Sequence, residues 1–155
     1  MHIILLIQII VAFALGAIIG LERDIHGSPA GVRTYAAVCL GSCMFGLIST
    51  HAQGIQHYQS VVDPTRIAAQ IVTGIGFLGA GVIFRYRMTT VGLTTAATIW
   101  ASAAVGLGVA FKMYWISGFS TILIVFALSL NELPIWTNFK RRVKRRKLEQ
   151  SKTIK

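Results

Sequence analysis

Residues 74–81 read GIGFLGAG, four glycines in eight positions inside the apolar run Ile67 to Phe84. The string satisfies GxGxxG at Gly74, Gly76 and Gly79, the pattern by which a strand–turn–helix unit holds a dinucleotide. That chemistry needs an acid about 20 residues downstream for the ribose, yet no Asp or Glu lies between Asp63 and Glu132. An uncharged apolar run of this length reads instead as a membrane helix. In that setting glycines let backbones approach closely and bring carbonyl oxygens near a partner or a pathway. Both uses stay open for Gly74, Gly76, Gly79 and Gly81, and tight packing is the simpler.

The surroundings agree with a membrane reading. Of 155 residues, 54% are apolar and 13% charged, against about 25% charged in soluble domains. Nine of the fifteen Lys and Arg fall from Lys140 onward, so the net charge of +10 describes a tail and not a nucleic-acid-binding surface. The apolar N-terminus lacks a positive n-region, and Glu22-Arg23-Asp24 follows it where a cleavage site would need small residues. It reads as a retained first span. Cys39 and Cys43, four apart without further ligands, read as small packing residues.

Five stretches are long and apolar enough to span: 3–21, 34–51, 67–84, 91–110 and 113–130. The fold class is therefore all-α, a polytopic transmembrane helix bundle. Residues 1–130 form the membrane domain, and 131–155 form a basic juxtamembrane tail. The side holding Arg23, Arg33, Arg85, Arg87 and the tail collects thirteen basic residues, and the other side only Arg66 and Lys112. The positive-inside rule places the thirteen in the cytoplasm, with the N-terminus outside and the C-terminus inside.

Four constellations carry what chemistry there is. Glu22, Arg23 and Asp24 with Arg33 and Thr34 lie at the cytoplasmic ends of the first two spans. A carboxylate at that depth must pair or bind a cation. Arg33 is the natural partner in sequence, and a hard cation such as magnesium the natural ligand. Asp63, Arg66 and Gln70 mark the outer mouth of the third span, with Asp63 before Pro64 as an N-cap. In this topology a direct Glu22–Arg66 pair is excluded. Thr94, Thr95 and Thr98 open the fourth span and can bond back to their own helix or to a neighbour. The tail Lys140, Arg141, Arg142, Lys144, Arg145, Arg146 and Lys147 should contact anionic lipid headgroups. In the first span, Gly16 and Gly20 form a GxxxG pair for close helix contact within or between protomers, and Gln8 reads as interhelical glue. His26, His51 and His57 share no spacing and define no metal site. No nucleophile with a base and orienting acid is visible, nor a phosphate loop, so the reading is non-enzymatic and without cofactor.

IGLERD (19–24), PAGVRTYA (29–36), DPTRIAAQIVTGIGFLGAGVIFR (63–85) and GLTTAATIWASAAVGL (92–107) closely resemble the MgtC/SapB membrane proteins, in order and over about residues 15–130. The resemblance implies a five-helix bacterial inner-membrane protein with its N-terminus outside. It further implies a role in magnesium limitation, virulence through survival inside host cells, and control of membrane potential or ATP synthase. By motif position it points to Glu22, Arg23, Asp24, Arg33, Asp63, Arg66 and Gln70, with the four glycines and Thr94 and Thr95. Two departures are visible. Several members continue into a soluble domain, so regulation through one does not carry over. In RYRMTTV (85–91) the acid and glycine common after the first basic residue are missing. The leading expectation is ion homeostasis through contact with another membrane protein, with homo-oligomers allowed. The alternative is a small cation channel or transporter whose path is lined by the third and fourth helices.

Overall fold

The computed structural model describes residues 2–51, 63, 65–86 and 89–130. Arg87, Pro64, His57 and the whole basic tail, with Trp136, lie outside the described residues. Five helices are found: α1 (His2–Ile25), α2 (Val32–His51), α3 (Thr65–Gly81), α4 (Leu93–Ala110) and α5 (Tyr114–Ser129). Each matches one expected span, so the all-α bundle holds. By length and composition α1, α2 and α4 are able to cross a membrane, and α5 is a shorter apolar helix.

The third span ends earlier than its hydropathy implies. α3 stops at Gly81, and β1 (Phe84–Tyr86) pairs antiparallel with β2 (Thr89–Val91), with Phe84 opposite Val91 and Arg85 opposite Thr90. The sequence reading had this segment as helix end and loop. The cause is local composition, since aromatic and β-branched residues on both sides favour a pleated pair over a helical turn. Gly92 then starts α4 at φ 90, and a Cβ there would lie 1.9 Å from the Val82 carbonyl oxygen. Only glycine satisfies both the left-handed backbone and the close approach.

The core runs along α2. One cluster gathers Ile19, Tyr35, Ile75, Ile99 and Ala103; a second gathers Ala12, Cys43, Leu47, Val109 and Ala110. Small residues set the distances. A Cβ on Gly16 would meet the Tyr35 carbonyl oxygen at 2.5 Å, and one on Gly20 would meet Val32 Cα at 2.4 Å. The GxxxG face of α1 therefore packs within the protomer, against α2. Gln8 is fully buried and donates through Nε2 to the carbonyls of Val109 (2.8 Å) and Ala110 (3.1 Å). Both carbonyls lie in the last turn of α4, where intrahelical donors run out; that of Val109 also accepts from the Lys112 N–H at 3.0 Å. Cys39 and Cys43 are buried free thiols that donate to the carbonyls of Ser102 and Gln8. By contrast, α5 turns Trp115, Phe119, Ile122 and Phe126 outward, as a helix solvated by lipid does.

Candidate functional site

The last turn of α1 carries the one described carboxylate that is buried. Glu22 is 7% exposed, its Oε2 lies 3.5 Å from Arg23 Nη1, and its Oε1 lies 3.0 Å from His26 Nδ1. His26 Nδ1 also sits 2.5 Å from the Glu22 carbonyl oxygen. Facing two oxygen acceptors, that nitrogen must carry a hydrogen. The expected Glu22–Arg33 pair does not form: Arg33 and Thr34 are both exposed. The reason is helical phase. His26 is four residues from Glu22 and so lies over the same face of α1, whereas Arg33 lies in the first turn of α2 and is exposed.

Asp24 serves the turn. Its Oδ2 accepts from the Val32 N–H at 3.0 Å, at the start of α2, where a negative charge is favoured by the exposed amides and the dipole. A Cβ on Gly31 would lie 1.5 Å from Asp24 Oδ1, so the carboxylate occupies the space a side chain would take.

Across from Glu22 lie hydroxyls of other elements. Tyr35 is buried and its hydroxyl donates to the Thr95 carbonyl at 3.5 Å; Ser28 Oγ lies 3.5 Å from Thr95 Oγ1. Thr95 and Thr98 are buried and Thr94 is exposed. Thr98 bonds back to the Thr94 carbonyl at 2.8 Å, and Ser102 to the Thr98 carbonyl at 2.8 Å. His26, Ser28 and Tyr35 were absent from the sequence-derived set. The i,i+4 spacing of Glu22 and His26 was the signal available for the histidine; nothing local marks Ser28 or Tyr35, which join the cluster across 67 and 60 residues.

This donor set does not fit magnesium. A hard cation takes several oxygen ligands, and Glu22 offers few: Oε2 faces Arg23, and Oε1, beside His26 Nδ1, is left without a hydrogen-bond partner. Among the described residues no group of three His, Cys, Asp or Glu is placed to hold a metal ion.

Asp63, Arg66 and Gln70 are all exposed at the start of α3. Asp63 Oδ1 accepts from the Thr65 N–H at 2.8 Å and from the Thr65 hydroxyl at 2.7 Å. It caps the helix, and these bonds from Thr65, with nearby Arg66 adding less, hold its pKa below the usual carboxylate value. α3 extends roughly 25 Å at 1.5 Å per residue, and its far end packs by Gly79 on Ala96 near the start of α4. The Asp63 mouth and Glu22 thus occupy opposite ends of the bundle, and no Glu22–Arg66 pair forms. Among the described residues an added Cβ on Gly79 would meet Ala96 Cβ at 3.7 Å, whereas at Gly74, Gly76 and Gly81 it would meet nothing within 4 Å. Tight packing inside the protomer accounts for one of the four. Between α2 and α3 runs a groove of about 460 Å³, apolar apart from Ser42 and Gln70.

Residues 9–133 match the model of the MgtC family. The chain is 40% identical over 124 residues to the Escherichia coli K12 protein named "Putative magnesium transporter YhiD", covering 79% of this chain and 57% of that one. It is 36% identical over 133 residues to Bacillus subtilis SapB, covering 84% and 56%. It is 49% identical over 96 residues to Brucella abortus MgtC, covering 62% and 38%. The chain therefore spans little more than half the length of YhiD and SapB, and less of MgtC. No solved structure matches it.

Proposed function

The chain belongs to the MgtC family, and on that premise we propose that this membrane protein acts in magnesium homeostasis by contacting and controlling other membrane machinery, without catalysing a reaction. The observation that carries the reading is the burial of Glu22 beside Arg23 and His26, at 3.5 and 3.0 Å, the arrangement of a polar anchor that holds α1 in place. The magnesium link rests on the name of the YhiD relative. The setting is the bacterial inner membrane with the N-terminus outside, on the strength of the charge asymmetry. The basic tail would rest on anionic headgroups. The cation-path reading has less support, because Thr98 and Ser102 spend their hydroxyls on their own helix.

Two measurements test this together. A strain lacking the gene should grow poorly at low magnesium and recover with the wild-type chain. The purified chain in liposomes should move no magnesium. Magnesium flux that is lost on Glu22→Gln would overturn control by contact in favour of transport. Unimpaired growth of the deletion strain would remove the magnesium link.

A further inference from the structure

α3 meets the rest of the chain along Ile71, Ile75 and Gly79, with Ile75 and Gly79 buried. Its opposite face is exposed and carries Arg66, Gln70, Thr73, Phe77 and Ala80, spaced four, three, four and three. That is the spacing which keeps one seam of a helix turned toward a second helix along its length. The seam is polar over half its extent. Polar groups within a span face protein or water and not lipid, and the lipid-facing residues of α5 are large and apolar. Water can meet Arg66 and Gln70 at the start of the helix, and Thr73 bonds back to the Ala69 carbonyl, so a cover for the rest of the face must be argued from its shape.

The shape and charge of the face identify the cover. Phe77 is 82% exposed and projects between Gly74 and Gly81, about one turn to either side, where nothing lies within 4 Å of an added Cβ. Knob and hollows thus share one surface. At one end of it Asp63 and Arg66, of opposite charge, stand three residues apart and both exposed. The Gln70 carboxamide both donates and accepts, so it can pair with another copy of itself. Each feature is its own complement, the condition that a two-fold isologous contact imposes and that a foreign partner does not.

We propose that the outward face of α3 is the seam of a parallel two-fold homodimer, with Phe77 of each copy seated over the glycine hollows of the other and Asp63 against Arg66 of the partner subunit. The glycines of GIGFLGAG then serve close packing between protomers, with Gly79 alone packing within one.

Disulfide trapping in native membranes tests this on the full chain. The wild type, whose Cys39 and Cys43 are buried, should give no linked dimer under mild oxidation. Thr73→Cys, Phe77→Cys and Ala80→Cys should give one readily. Ile75→Cys on the inner face and Ile122→Cys on the lipid face of α5 should not. Gly74→Leu with Gly81→Leu fills the hollows and should lower the trapped fraction of Thr73→Cys by about tenfold; Gly118→Leu, at another open position, should leave it unchanged. Equal trapping at Ile122 and at the seam would overturn the proposal. So would an absence of dimer at all three seam positions, or links from them to a protein of different mass.

Discussion

Gly106 in α4 offers the sharpest test of the packing. A Cβ at this position would lie 2.1 Å from the carbonyl oxygen of Cys39 and 2.8 Å from its carbonyl carbon. Carbon and oxygen normally approach to about 3.3 Å, so Gly106→Ala requires α2 and α4 to part by about 1 Å. Overpacking of this kind costs about 1–3 kcal/mol. Parting the helices also lengthens the Cys39 thiol bond to the Ser102 carbonyl, now 2.9 Å, and an interhelical bond in a membrane contributes about 0.6 kcal/mol. The expected loss is therefore about 2–4 kcal/mol. Reversible unfolding in detergent micelles measures it, with Gly118→Ala on α5 as the control because nothing lies within 4 Å of that glycine. The opposing atoms are backbone, so trimming the neighbouring side chain by Cys39→Ala should not rescue Gly106→Ala. Wild-type stability in Gly106→Ala, or full rescue by Cys39→Ala, would refute a backbone-limited contact.

Three further outcomes follow from the geometry. Gln8→Leu removes two bonds to the end of α4 and should cost about 1 kcal/mol in the same unfolding assay, at about 0.6 kcal/mol per interhelical bond; no change would mean the carbonyls find other donors. Glu22→Gln and Arg23→Gln should each destabilise, while the double variant should lose clearly less than their sum, because the second change removes the charge that the first left unmatched; strict additivity in this cycle would show the pair to be uncoupled. Asp63 has a pKa lowered in the folded protein, so its cap is fully present above the ordinary carboxylate range and is lost as pH falls through the lowered value. Amide exchange at the start of α3 should accelerate in acid, and Asp63→Asn, which keeps a capping oxygen, should abolish that pH dependence.

What was legible in the sequence was whatever depends on one segment at a time. The five helices, the N-cap at Asp63 and the interhelical role of Gln8 follow from hydropathy, side-chain chemistry and spacing within a few residues. The first segment where this fails is 84–91, which reads as two span ends joined by a loop, yet its aromatic and β-branched residues pair as strands. At Glu22, the need of an inward-turned carboxylate for a partner was readable from sequence, but the partner was not. Choosing between Arg33 and His26 requires the rotation of α1 and the entry angle of α2.

The GIGFLGAG segment shows the same division. Composition and the absence of a downstream acid were sufficient to make it a helix and to exclude a nucleotide loop. Which glycine touches which neighbour depends on how α3 is rotated about its axis and where α4 lies beside it. Gly16 and Gly20, also glycines in an apolar helix, are pressed onto α2, while beside Gly74, Gly76 and Gly81 an added Cβ would find open space. Local sequence sets helix and solvent because both depend on near neighbours. Facing is decided by contacts between elements far apart in the chain, such as Gln8 with Val109 across 101 residues, and only the tertiary structure assigns those.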